Sequence, residues 1–331
     1  MGKFKIALYW CASCGGCEEA VVDLAEDILK VFEIADIVFW PVAMDYKRED
    51  VEKLPDGYID VAFINGAIRL SEHEEMVKLL RRKSKLIVAF GSCSHLGGVP
   101  GLGNLWNRDF IFRYVYKEAP TVSNPNGIVP QSEIKVEEGE LELPEFWNTV
   151  RALDQVIEVD YYIPGCAPPP DVVKKAFETL FSGKLPPKGS VLGAGSRALC
   201  DECPLNETKP EKIILRDFKR VHQVRLDLEK CYLAQEVLCL GPVTREGCGA
   251  LCIKGGMPCT GCFGPLDNVR DFGARVMSFL ASIIEYENEE DVKKIIEKIV
   301  DPVGWFYRYS LPKSLLKRRN MRKEESEKYE T

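Results

Sequence analysis

An α/β domain with a doubly wound parallel sheet, followed by a mostly helical and loop-rich second domain, is the architecture this 331-residue chain predicts. Two observations carry it. Strand-like and helix-like segments alternate as far as about residue 185, and a Pro/Gly-rich linker from Leu185 to Gly195 then opens a stretch holding eight cysteines.

The elements read in order as follows. Lys5–Tyr9 is a short apolar run, and Glu18–Phe32 repeats Val21, Val22, Leu24, Ala25, Ile28, Leu29 and Phe32 at a helical period. Ile37–Trp40 and Ile59–Ile64 are apolar on both faces, as helix-covered parallel strands are. Ser71-x-x-Glu74 has the form of a capping box opening a helix through Leu80, and Lys85–Phe90 is the next strand. Ile157–Ile163 is the last strand, before a helix that starts at Pro170-Asp171 and carries Val172, Val173, Ala176, Phe177 and Leu180. Helices are also expected from about Leu266 to Tyr286 and, behind an Asn288 cap, from Glu289 to Val300. The charged stretch from Lys313 to Thr331 reads as a solvated tail.

Composition narrows the chemistry. A net charge of −7 gives no basic face for nucleic acid or anionic lipid. No apolar run approaches the ~20 residues of a bilayer span. Met1–Tyr9 runs straight into strand-like sequence with no signal-peptide pattern, which predicts a cytoplasmic chain. Thirteen cysteines stand against three histidines, and in a reducing compartment so many thiols point to metal rather than to disulfides.

Cys14 and Cys17 follow the first strand, Cys93 the strand ending at Phe90, and Cys166 the strand ending at Ile163. Ligand sites in open α/β sheets lie outside the carboxyl ends of strands, so these loops bring four thiols to one edge. The other reading of Cys93 and Cys166 is as small buried hydrophobes. The second half holds Cys200-x2-Cys203, Cys231, Cys239 and Cys248-x3-Cys252-x6-Cys259-x2-Cys262, arithmetically two sets of four. Four thiolates suit zinc or an iron–sulfur cluster; the scattered spacing and the flanking glycines favour the cluster.

Cys14-Gly-Gly-Cys17-Glu18, Gly91-Ser92-Cys93 with Gly97-Gly98-Val99-Pro100-Gly101, and Pro164-Gly165-Cys166-Ala167-Pro168-Pro169 resemble the proximal-cluster motifs of NiFe-hydrogenase small subunits. Asn65-Gly66-Ala67-Ile68-Arg69-Leu70-Ser71-Glu72-His73-Glu74 resembles, more narrowly, the methyl-viologen-reducing, F420-non-reducing hydrogenases of methanogens, in their small (gamma) subunit. The resemblance covers residues 3 to about 300. It implies a flavodoxin-like domain (1–185) with a proximal 4Fe-4S cluster on Cys14, Cys17, Cys93 and Cys166. A second domain (186–311) would hold a medial cluster on Cys248, Cys252, Cys259 and Cys262 and a distal one on Cys200, Cys203, Cys231 and Cys239, leaving 312–331 as a charged tail. No catalytic residue is implied in this chain: the nickel–iron centre would sit on a large subunit. Electrons from hydrogen would leave toward a small iron–sulfur adaptor and a heterodisulfide-reductase-type flavoprotein. Near alternatives are deazaflavin-reducing or sulfur-reducing hydrogenases, and a complex-I-like or ferredoxin-type carrier.

The resemblance departs from the periplasmic branch at two ligands. Cys200 stands where that branch has a histidine, and Cys252 supplies a fourth medial thiolate. Cys11 is left as a spare buried thiol, the other reading being a swapped or reserve ligand. His95 is read as packing its loop, the other reading being a hydrogen bond to cluster sulfur that tunes its potential; His73 is read as lying on the exposed side of a helix start, and His222 as part of a charged helix. Glu18 and Glu19 are either ordinary helix N-terminal acids or groups facing the large subunit.

Overall fold

The computed structural model describes residues 2–315. Its centre is a parallel sheet of β1 (Phe4–Trp10), β2 (Ala35–Phe39), β3 (Ile59–Asn65), β5 (Ser84–Phe90) and β9 (Tyr161–Ile163), in the order β2-β1-β3-β5-β9. Counting only these five strands, that is the 2-1-3-4-5 winding of flavodoxin-like sheets. Strand periodicity divides the core in two. Ile6, Leu8, Val61, Phe63, Val88 and Phe90 point to one face, beneath α1 (Gly16–Val22) and α7 (Pro170–Phe181). Ala7, Tyr9, Ala62, Ile64, Ile87 and Ala89 point to the other, beneath α4 (Ser71–Lys83). Both faces are dry, which is why the strands read as unbroken apolar runs.

Several expectations change. The single helix over Glu18–Phe32 is two, α1 and α2 (Asp27–Ile34), because Leu24 turns into the core and Ala25 takes φ +48°. The capping box at Ser71 does not form: Ser71 Oγ accepts from Glu145 N at 2.9 Å, and Glu74 pairs with Arg151 and Lys78. A tertiary strand pair has taken the cap, since β4 (Ile68–Leu70) runs antiparallel to β8 (Phe146–Arg151). Between β5 and β8 lie α6 (Arg108–Arg113) and a hairpin of β6 (Glu133–Val136) and β7 (Gly139–Glu142), none of them foreseen. The remaining α3 (Arg48–Lys53) precedes β3, and α5 (Ser92–Leu96) follows β5. The strand expected from Ile157 starts only at Tyr161.

Past the linker a second core gathers Leu215, Tyr232, Leu233, Leu240, Phe272, Val276, Leu280, Phe306 and Leu311. Its regular elements are few: α8 (Leu251–Lys254), α9 (Phe272–Ile283), α10 (Glu289–Glu297) and α11 (Pro302–Phe306). Asp271 caps α9, whose first expected turns are loop instead, and Asn288 caps α10 as anticipated. The solvated tail expected from residue 312 does not start there. Leu311, Pro312 and Ser314 are buried, Gln155 Nε2 donates to Pro312 O at 2.8 Å, and Asp271 accepts from Leu315 N at 2.8 Å. The rest of that stretch lies outside the described residues. Among the described residues no helix is long and apolar enough to cross a membrane.

Asp160 ties β9 into the sheet: its fully buried carboxylate accepts from Ile87 N at 2.8 Å and pairs with Arg81 and Lys188. Burial pushes its pKa up, but the Lys188, Ile87 N–H and Arg81 bonds outweigh that and hold it below the usual carboxylate range. Asp160→Ala should cost about 1–3 kcal/mol, because the Ile87 N–H and Arg81 lose their partner. A depressed folded pKa gives stability that is fully present above the unfolded value near ~3.9 and is lost as pH falls through the folded value. Thermal melts should therefore show the gap between variant and wild type full at neutral pH and narrowing only below about pH 4.

Candidate metal centres

The carboxyl edge of the sheet collects four cysteines. Cys14 and Cys17 bracket the start of α1, Cys93 sits in α5 just past Gly91, and Cys166 follows β9. Cys17 and Cys93 are buried, while Cys14 and Cys166 are exposed. Two glycines make room for the thiols. A Cβ at Gly91 (φ +82°) would fall inside van der Waals contact of Cys17 Sγ, and one at Gly98 (φ +59°) would do the same to Cys93 Sγ. The four thiols feel one another. Burial pushes the Cys17 thiol up, and Cys93, Cys166 and Cys14 add to it. Cys93 is pushed up to about 12 by burial, then by Cys166 and Cys14, against one N–H bond from Val99.

The eight remaining cysteines lie beyond the linker. Cys200, Cys203, Cys231 and Cys239 line one cavity with Leu205, Tyr232 and Ile253. Burial raises Cys200 to about 12, with Cys239, Cys203 and Cys231 all contributing; burial raises Cys239 to about 11, offset by N–H bonds from Gly241 and Cys259. In the loop carrying Cys248 and Cys252, Gly247 N and Gly249 N donate to Glu202 Oε1 at 2.9 and 3.0 Å, which pins that loop to the Cys200–Cys203 turn. Cys262 is raised to about 12 by burial and then by Cys248, with Cys252 also acting on it. Cys259, well above its ordinary value through burial, is coupled to Cys239 and Cys262.

The quartets touch in sequence. Cys166 N donates to the Cys262 sulfur, and Ser92 Oγ donates to Cys262 O. At the other end Cys259 N donates to Cys239 Sγ at 3.3 Å. The Cys259–Cys262 loop therefore reaches both the sheet-edge cysteines and the Cys200–Cys239 set.

The donor set fits metal. Four thiolates in one apolar space are mutually repulsive and poorly solvated, so they ionise together only around a cation, with loss of protons. Four thiolates suit zinc or an iron–sulfur cluster.

Cys11 stands apart. It is buried on the opposite face of the sheet, packed with Tyr9, Ile64 and Ile68 rather than with the quartet. Glu18 is buried and accepts hydrogen bonds from Trp40 Nε1 and from Asn65 Nδ2, the latter at 2.5 Å; Asn65 also donates to Tyr9 O. Both carboxylate oxygens are thus engaged inside the chain, while Glu19 is exposed. The Asn-Gly pair closing β3 was the one sequence sign of this network. His95 packs its ring on Tyr162 at 4.5 Å, as a loop-packing residue does. His73 is half-buried rather than exposed, receiving Arg69 N, and burial lowers its pKa to about 4. His222 is exposed in a short 3-10 turn, not a helix.

Residues 14–180 match the family model described as "NADH ubiquinone oxidoreductase, 20 Kd subunit", a match that ends before the second cysteine set. The fold resembles that of a chain of the NiFeSe hydrogenase from Dm. baculatum, with a TM-score of 0.51, 17% identity, and 81% of this chain and 96% of that one covered. Sheet, thiol quartets and family model together define an oxidoreductase subunit of the iron–sulfur small-subunit class. Two relatives narrow the class. The iron-sulfur G subunit of the F420-non-reducing hydrogenase of Archaeoglobus profundus is 44% identical over 318 residues, 95% of this chain and 98% of that one. The G subunit of the F420-non-reducing hydrogenase of Methanothermobacter marburgensis is 34% identical over 95% of this chain and 96% of its own length. The chain belongs to the family of F420-non-reducing hydrogenase G subunits.

Two substitutions separate ligand from bystander. Gly91→Ala should lower the iron held per chain, because its methyl would displace Cys17 Sγ. Cys11→Ser should leave iron unchanged by anaerobic metal analysis and cost stability alone, as a hydroxyl buried among apolar side chains does.

Proposed function

We propose that this chain carries electrons from hydrogen oxidation on a nickel–iron large subunit through three 4Fe-4S clusters. The route leads to a cytoplasmic small iron–sulfur adaptor and on to a heterodisulfide-reductase-type flavoprotein. In this reading the unit 1–185 holds the proximal cluster on Cys14, Cys17, Cys93 and Cys166. The unit 186–311 holds the medial one on Cys248, Cys252, Cys259 and Cys262 and the distal one on Cys200, Cys203, Cys231 and Cys239.

The observation that carries the proposal is the chain of contacts between quartets, Cys166 to Cys262 and Cys259 to Cys239. It gives one line from the sheet edge into the second core. When bound, an iron–sulfur cluster takes up and releases single electrons. The protein's part is to hold the thiolates and screen their charge. N–H groups of Val99, Leu205, Gly241, Ala250, Leu251 and Gly261 all donate to ligand sulfurs. Thiolate at every position keeps each site more negative than imidazole ligation would, which favours low potentials.

The sheet-edge quartet also has an uncovered side. Cys14 and Cys166 are exposed there, and Trp10, whose indole lies 3.4 Å from the Cβ position of Gly15, is over a third exposed with them. An apolar, water-excluding cover on that side is the natural place for the catalytic subunit.

Iron and acid-labile sulfide in the anaerobically purified enzyme should each come to about twelve per chain, one cubane for each quartet. Values near eight or four, or stoichiometric zinc, would remove a cluster from the line. Cys252→Pro should leave a three-iron medial cluster with a raised potential, read as a new EPR signal, and slow reduction of a low-potential acceptor.

A further inference from the structure

The last described segment carries groups that the electron line does not yet use. From α11 the chain runs back across both domains. Tyr309 is buried, and its backbone carbonyl accepts from Gly98 N at 3.0 Å. Gly98 is the glycine packed against Cys93, a proximal thiol. The phenol oxygen of Tyr309 shares a hydrogen bond of 3.0 Å with Thr260 Oγ1, and Thr260 stands between Cys259 and Cys262 in the medial loop. One residue therefore grips two ligand loops at once, by backbone on one side and by side chain on the other.

The grip is reinforced from the same segment. The Pro312 ring fills the space where side chains at Gly97 and Gly101 would stand, so those glycines admit the strap. Lys313 Nζ bonds Asp154, and Asp271, the cap of α9, accepts from Leu315 N. Burial pushes the Tyr309 hydroxyl up, and the thiols of Cys262 and Cys166 act on it too, which agrees with a phenol standing beside one ligand from each of these two quartets.

We propose that Tyr309 is a positioning residue for electron transfer: by clamping the Gly97–Gly101 loop to the Cys259–Cys262 loop, it fixes the gap between the proximal and medial clusters. This rests on the three-cluster reading above. One electron leaves the proximal cluster, which is oxidised, and the medial cluster is reduced by it. Tyr309 neither gains nor loses an electron or a proton. Its contribution is rigidity, and tunnelling rates fall steeply with separation.

The test uses the assembled hydrogenase, purified anaerobically with Tyr309→Phe, Tyr309→Ala, Thr260→Val or Thr260→Ser. Neighbouring reduced clusters split and broaden one another's EPR signals according to their separation and orientation. With iron content at the wild-type level, Tyr309→Ala should lose that splitting and slow the appearance of reduced medial cluster after rapid mixing with hydrogen. Tyr309→Phe and Thr260→Val should do so in part, and Thr260→Ser should restore the wild-type signal. Amide exchange in residues 97–101 and 259–262 should rise together in Tyr309→Ala, a readout independent of cluster loading. Unchanged splitting and unchanged exchange in Tyr309→Ala would overturn the clamp. Should Tyr309→Ala fail to accumulate, Tyr309→Phe and Thr260→Val decide by the same signals. A wild-type iron content well below twelve would strike the three-cluster reading instead and leave the exchange result to decide on Tyr309.

Discussion

On the proposed reading, one electrostatic constraint governs the rest of the structure: twelve thiols must be brought together in groups of four, most of them partly or wholly out of water, and still ionise. Burial is the first cause of every thiol pKa raised here, and neighbouring thiols add to it in each quartet. The chain offsets part of this with backbone N–H groups aimed at sulfur, and on the proposed reading metal supplies the rest of the positive charge. The two domains meet the constraint differently. The sheet domain has cores on both faces and would bury its apolar surface with no help from the quartet. The stretch from Leu199 to Asp271 has 3-10 turns, isolated bridges and the four-residue α8 between its loops, around a core that includes Leu205, Leu215, Tyr232 and Leu240. On the proposed reading, metal bound by its thiols would add to that core.

The domains do not merely follow one another. Leu192 and Phe263 join the first core, Cys262 is reached by both Ser92 and Cys166, and residues 309–315 bond back to both sides. On the proposed reading, the middle position of the medial cluster follows from this docking, since Cys259 and Cys262 each reach a thiol of another set.

The sheet was legible because its strands are apolar on both faces, and because a glycine or a cysteine stands within two residues of the carboxyl end of every strand except β2. The gathering of four thiols at the sheet edge was legible for a related reason: glycines near Cys17, Cys93 and Cys166 mark places where backbone must pass close to sulfur. Other features were hidden by long-range competition. Nothing local tells that the Ser71 hydroxyl will be claimed by Glu145, or that Ile68 will pair with Arg151 across more than eighty residues of sequence. The hairpin of β6 and β7 leaves Ile134 and Leu141 exposed, so its alternation implied no buried face. The packed start of the closing segment was missed because charge and low apolar content were weighed over its whole length; Pro312 is buried for its fit against Gly97 and Gly101, a contact with no sequence signature of its own.

The distribution of burial among the ligands marks where such a protein can change its potentials without losing its fold. Cys239 and Cys259 are buried, packed into the second core, and joined by a backbone bond to sulfur; replacing either would open a cavity and orphan an N–H. Cys252 is exposed on α8, and Cys200 is only part-buried beside Gly241. On the proposed reading, a substitution at Cys252 removes a ligand and little of the core, and Cys200 is less embedded than Cys239 or Cys259. On the resemblance, these are the two ligand positions at which this chain departs from the periplasmic branch. The physical reason is that a ligand can vary only where the core does not also depend on it. On the three-cluster reading, low potential in this subunit draws on these two thiolates, one of them exposed like Cys14 and Cys166 and the other part-buried.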